Sequence, residues 1–142
     1  MVNSKASATW NGKLKDGNGQ YRAGSGAFKG EYTFATRFEG KPGTTPEELI
    51  AAAHAACFSM ALSAGLEKAG TPATTITTDA TCVMDTVDGA STITTMKLVT
   101  RGKVAGIDQA AFQQAAEGAK ANCPVSRALK IANIELTATL EA

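Results

Sequence analysis

The stretch Thr45-Pro46-Glu47-Glu48-Leu49-Ile50-Ala51-Ala52-Ala53-His54-Ala55-Ala56-Cys57-Phe58-Ser59-Met60-Ala61-Leu62 decides how the rest of the chain is read. Thr45 is a good helix N-cap. Pro46 suits the first helical position, where a missing N–H costs no intrahelical bond, and Glu48 completes a Thr-x-x-Glu capping box. The helix predicted from these signals runs to about Lys68, with Gly70 and Pro72 as its stop. Over 49–66 it is apolar or small nearly all round, the pattern of a helix buried on most sides. A chain of 142 residues has little material with which to wrap such a helix. A second copy of the chain is therefore expected as cover, in a homodimer.

Strands are predicted on both sides of this helix. Before it, 6–10, 21–28 and 31–38 carry aromatic and small residues, separated by the glycine pairs Gly17/Gly19 and Gly24/Gly26. Neither pair is followed by Lys-Ser or Lys-Thr opening a helix, so they read as hairpin turns and not as a phosphate cradle. After the helix, Ile76, Thr78, Ala80, Cys82 and Met84 share one side of a strand. Asp88-Gly89 turns the chain into a second strand over about 91–103, making a long hairpin. Asp108 then caps a helix over about 109–121. Cys123-Pro124 breaks it, because a residue before proline is pushed out of the helical region. A short helix over about 124–130 follows, and Ile134, Leu136, Ala138 and Leu140 alternate as a closing strand. Strands, buried helix, two strands, helix, strand is an α+β order with no run of βαβ units. A single domain, 1–142, is expected.

Composition narrows the function classes. The chain is 44% hydrophobic and 19% charged, with a net charge of +1 and scattered basic residues, which argues against a nucleic-acid partner. Met1-Val2-Asn3-Ser4-Lys5 lacks the pattern of a secretory signal. The longest apolar stretch, 49–62, is shorter than a bilayer span of about 20 residues. Neither a membrane association nor export is expected, which makes the cytoplasm the predicted location. Three cysteines in that reducing compartment are a poor disulfide framework, so any pairing among them would point to redox chemistry.

Elimination leaves cysteine as the reactive group. The only histidine is His54, so a metal site built on histidines has too few ligands, and Cys-x-x-Cys is absent. No metal and no bound cofactor are expected. A serine triad would need His54 as base, with no nucleophile-elbow sequence to serve it. His54 on an apolar helix reads instead as a packed, hydrogen-bonded core residue. Cys82, mid-strand, reads as a small hydrophobe. Cys57 sits among alanines, where burial alone would raise its pKa and leave it inert. Cys123 precedes a proline-led helix whose first amides favour a thiolate, which makes it the more acidic thiol on local grounds. Spacing leaves open whether the two meet.

Thr36-Arg37-Phe38-Glu39-Gly40, Thr45 to Ile50 and Ala52 to Leu62 together resemble the OsmC/Ohr family of osmotically inducible and organic hydroperoxide resistance proteins. Lys120-Ala121-Asn122-Cys123-Pro124-Val125-Ser126 resembles the family's second cysteine motif. The likeness covers essentially the whole chain, and Arg37, shortly before the helix, places it with the OsmC branch. The resemblance implies an OsmC-like fold, antiparallel sheets around a buried central helix, in an intertwined homodimer with sites at the subunit interface. It also implies a cysteine-based peroxidase for organic hydroperoxides. In that scheme Cys57 is the peroxidatic thiol, Cys123 the resolving thiol, Arg37 the group that stabilises the thiolate and positions the peroxide, and Glu47 the group that holds Arg37. An external dithiol, lipoyl-type or similar, would reduce the resulting disulfide.

The residue types suit this chemistry. A thiolate that attacks an O–O bond becomes a sulfenic acid, and a second thiol converts it to a disulfide before further oxidation. A buried thiolate needs a cation, and arginine supplies a fixed fork that is always charged. Phe58, Met60 and the aliphatic residues lining the helix are candidates for an apolar pocket around Cys57 selecting alkyl peroxides over hydrogen peroxide. Glu47 and Cys57 lie ten residues apart on one predicted helix, about 15 Å. Glu47, and Arg37 with it, are therefore expected to serve the Cys57 of the partner subunit. Glu48 has only its capping role. Two alternatives are a thiol redox sensor and a non-catalytic stress-induced binding protein of the same fold.

Overall fold

The Thr45 capping box forms: the Glu48 amide donates to Thr45 Oγ1 and the Thr45 amide to Glu48 Oε2, both at 3.1 Å. In the computed structural model, which describes residues 1–130 and 133–142, the helix it opens, here α2, spans Pro46–Lys68. At its far end Gly70 adopts φ +82°, and the amides of Gly70 and Thr71 return to the carbonyls of Glu67 and Leu66. That pair of bonds is a Schellman closure, which needs the left-handed conformation glycine adopts without strain. By length and composition alone α2 could cross a membrane, which the shorter stretch 49–62 had not suggested. Its inward face instead builds a protein core.

The chain divides into two compact units, Met1–Glu48 and Leu49–Ala142. The first holds a three-stranded antiparallel sheet of β1 (Ala6–Asn11), β2 (Asn18–Ala23) and β3 (Lys29–Tyr32), in that order. Here the predicted strand 31–38 is corrected. β3 stops at Tyr32, and Thr33 caps a short helix, α1 (Phe34–Phe38), through reciprocal bonds with Thr36 at 3.1 and 3.0 Å. Thr36 performs the task glutamate usually performs in a capping box. Arg37 consequently sits on a helix and not at a strand end.

The second unit contains a sheet ordered β4 (Ala73–Val87), β5 (Ala90–Val104), β6 (Asn133–Glu141). Asp88 and Gly89 both take positive φ, 50° and 79°, as a two-residue hairpin turn of the primed type requires. Ile76, Thr78, Ala80, Cys82 and Met84 all lie on the half-buried side of β4, as their alternation predicts. The expectation of antiparallel sheets throughout is corrected at β6, which runs parallel to β5. The connection between them passes through α3 (Gln109–Asn122) and α4 (Pro124–Leu129), and such a helical crossover returns the chain to the end where it started.

Phe58, Leu62 and Leu66 of α2 pack with Leu98 and Val104 of β5, Phe112, Ala116 and Ala119 of α3, and Ala138 of β6. Gly102 lets this happen closely, since a Cβ there would lie 2.6 Å from the Phe112 ring. A hydroxyl chain, Ser59 to Thr78 at 2.8 Å and Thr78 to Thr100 at 3.0 Å, ties α2 to the sheet. Burial of α2 is one-sided in the single subunit, however. His54, Phe58, Leu62 and Leu66, four residues apart, are buried, whereas Ala52, Ala53, Ala56 and Ala64 are exposed and Met60 is 75% exposed.

Candidate active site

α3 ends where Cys123 turns extended, at φ −54° and ψ 127°, ahead of Pro124. Its amide still bonds the Ala119 carbonyl at 2.9 Å, so the residue closes α3 and opens α4 at once. This bend lays the start of α4 against α2. There the Cys57 and Cys123 thiols, 66 residues apart in sequence, are in hydrogen-bonding contact, both as free thiols. Cys123 is fully buried, whereas Cys57 is half-buried.

The Val125 amide also bonds the Cys57 sulfur. It is one of the orphan amides in the first turn of α4. On local grounds these amides were expected to serve Cys123, yet one of them serves Cys57 across the helix contact. Within the subunit the balance still holds the Cys57 thiol above its ordinary 9.0. Burial is the main cause, followed by the hydrogen bond with Cys123, while the Val125 amide works in the opposite direction.

One turn before Cys57, His54 is fully buried and its Nε2 lies 2.7 Å from Ser126 Oγ. It is the packed, hydrogen-bonded histidine read from the sequence. Burial holds the imidazole below its ordinary 6.5, so it is neutral at neutral pH. Nδ1 is buried without a hydrogen-bond partner among the described residues.

Within the first unit, α1 and the opening turn of α2 join Arg37 to Glu47. Arg37 Nε lies 3.0 and 3.3 Å from the two carboxylate oxygens, and Nη2 lies 2.6 Å from Oε1. Glu47 is 8% exposed, and the guanidinium carbon stands 5.2 Å from the Phe38 ring centroid. The two adjacent acids thus divide their tasks, Glu48 capping α2 while Glu47 binds Arg37. A fork held by both carboxylate oxygens has little freedom to swing, which is the geometry a positioned cation needs. Of the candidates for a substrate pocket, Phe58 is fully buried in the core, whereas Met60 is exposed. Cys82 lies opposite Met96 in the β4–β5 ladder, on a different element from either thiol of the pair. Among the described residues, no group of three or more His, Cys, Asp and Glu is placed to hold a metal ion.

The family model described as OsmC-like protein matches residues 38–139. The peroxiredoxin OsmC of Escherichia coli is 48% identical over 130 residues, covering 91% of each chain. An OsmC-like protein from Mycoplasma pneumoniae has the same fold, with a TM-score of 0.76 at 14% identity over 99% of both chains. An organic hydroperoxide resistance protein from Elizabethkingia anophelis superposes with a TM-score of 0.71 at 23% identity, covering 99% of this chain and 97% of that one.

Proposed function

The chain belongs to the OsmC-like protein family, and on that premise we propose that it is a thiol peroxidase reducing organic hydroperoxides, with Cys57 attacking and Cys123 resolving. The observation that carries this reading is the contact between two free thiols at the crossing of α2 and α4. Exposure supports the order of roles, since a peroxide can approach half-buried Cys57 while Cys123 lies fully buried behind it. The Cys57 thiolate attacks the peroxide O–O bond, takes one oxygen as a sulfenic acid and releases the alcohol. Cys123 then displaces that oxygen as water and forms the disulfide, which an external dithiol reduces.

The proposed working unit is a homodimer acting in the cytoplasm. Its interface would use the outer face of α2, where Ala53, Ala56, Met60 and Ala64 recur at helical spacing and stand open in the single subunit. Glu47 and Cys57 occupy one continuous helix, about 15 Å apart along its axis. A carboxylate gripping Arg37 at 2.6 Å therefore suits delivery of that arginine to the partner subunit's Cys57.

Two measurements test the reading. The purified protein with dithiothreitol should consume cumene hydroperoxide faster than hydrogen peroxide, and Cys57→Ser should abolish both. If neither peroxide is consumed, only the sensor or binding alternatives survive. Mixing inactive Arg37→Gln with inactive Cys57→Ser subunits tests the exchange between subunits. One complete site per mixed dimer, in half the dimers, restores about a quarter of parental activity. No recovery after verified exchange would place Arg37 with its own Cys57.

A further inference from the structure

The crossing of α2 and α4 is held at two levels. Cys57 meets Cys123 and the Val125 amide, and three residues earlier on α2 His54 meets Ser126, itself three residues after Cys123 on α4. Residues three apart on a helix share a face, so both contacts belong to one interface between the two elements. They differ in what the proposed chemistry does to them. Oxidation consumes the Cys57 thiolate and with it the reason for the Val125 bond, whereas the His54–Ser126 bond involves no reacting atom.

We propose that His54 and Ser126 are positioning residues for disulfide closure, holding α4 on α2 while Cys57 passes from thiol to sulfenic acid to disulfide. This rests on the peroxidase reading of the same site. In the step concerned, the Cys123 sulfur attacks the Cys57 sulfenic sulfur. The S–O bond breaks, the S–S bond forms, and the departing hydroxide leaves as water with the Cys123 proton. A disulfide requires the two sulfurs about 2.05 Å apart with a dihedral near 90°, so the backbones must stay in a narrow range of separation. A tie one turn away, 2.7 Å long and sealed from water, limits that separation. Its polarity follows from the unpaired Nδ1. If Nε2–H donates to Ser126 Oγ, only a lone pair goes unmatched, whereas the other tautomer would strand a buried N–H.

The test follows closure separately from attack. Each variant is mixed with one equivalent of cumene hydroperoxide, sulfenic acid is trapped with dimedone, and disulfide is counted by intact mass. A parallel series closes the disulfide with diamide, which needs no peroxide chemistry. Ser126→Ala and His54→Leu should slow closure relative to sulfenic acid formation by on the order of tenfold or more, as misplacement of reacting groups does. Sulfinic acid should accumulate under excess peroxide. Ser126→Thr and His54→Gln keep a hydroxyl and a donor in reach, so they should restore closure in both series. A merely structural role would lower thermal stability without changing the ratio of disulfide to sulfinic acid. Parental closure rates in Ser126→Ala and His54→Leu overturn the proposal. Absence of both sulfenic acid and disulfide in the peroxide-treated parent, with diamide closure still sensitive to Ser126, overturns the peroxidase reading and leaves the positioning role standing.

Discussion

Replacing Arg37 by glutamine should move the titration of Cys57, a residue on another element. Within the subunit, burial and the neighbouring Cys123 thiol hold Cys57 above 9.0, with only the Val125 amide opposing them. A raised thiol pKa favours the neutral form, so thiolate is scarce at neutral pH and grows as pH rises. At pH 7 it would be no more than about one thiol in a hundred, too little for an efficient nucleophile. A guanidinium about 4 Å away, at an effective dielectric constant of about 20, is worth about 4 kcal/mol. That corresponds to about a thousandfold in the thiol's dissociation constant, and in thiolate population at pH values below both titrations. A more basic thiolate is intrinsically more nucleophilic, which offsets a little under half of the loss on a logarithmic scale, leaving a rate decrease of about thirty- to fiftyfold. Thiolate absorbance at 240 nm and the rate of iodoacetamide alkylation, both followed against pH in a Cys82→Ser, Cys123→Ser background, measure the two quantities. Glu47→Gln should produce a smaller displacement in the same direction, because the guanidinium stays charged but loses the carboxylate that grips it at 2.6 Å. Lys68→Gln removes an equal charge at the end of α2 and should leave both curves in place. If Arg37→Gln titrates and alkylates as the parent does, Arg37 is not the cation that makes Cys57 reactive, and its assignment falls.

Two further outcomes follow from the packing and from the thiol pair. Cys123→Ser should still yield one equivalent of alcohol per Cys57 but carry that residue to sulfinic and sulfonic acid under excess peroxide, seen as added oxygens by mass; clean cycling would reassign the resolving role. Gly102→Ala should cost about 1–3 kcal/mol in urea unfolding with the slope unchanged, since the new methyl meets the buried Phe112 ring at 2.6 Å. Adding Phe112→Leu should recover part of that loss, and strict additivity would show that the ring is not what the methyl strikes.

What could be read from the sequence was local. Thr45 with Glu48, Asp88-Gly89 and Asp108 each complete their bonds or turns within a few residues, so composition and spacing suffice to place α2, the β4–β5 turn and α3. α1 was missed because Phe34-Ala35-Thr36-Arg37-Phe38 has the aromatic content of a strand, while its start depends on a threonine standing where glutamate is usual. The direction of β6 was missed because alternation reports which face is buried and carries no information about the orientation of the neighbouring strand. The all-round apolar character of α2 was read as burial on most sides, and within the subunit that burial is confined to one face. Met60 marks the other.

The reactive pair marks the limit of local reading more sharply. The amides at the start of α4 were correctly recognised as groups that stabilise a thiolate, but assigned to the cysteine beside them in sequence. Cys123 is the residue that makes the bend, and the Val125 amide, two residues further, bonds the sulfur arriving from α2. A residue that caps a helix holds its own backbone at the turn, so the amides beyond it are free for whatever packs across the break. The same bend therefore presents a buried thiol and an amide donor to Cys57 together. Cys57, inert among alanines by its neighbours in sequence, gains an amide donor and a neighbouring thiol once α4 is in place, while burial still holds its thiol above the ordinary value. Among the described residues, the influences on the Cys57 thiol are burial, Cys123 and the Val125 amide, and none of them is a positive charge, which is why the titration of Arg37→Gln bears most directly on the proposed chemistry.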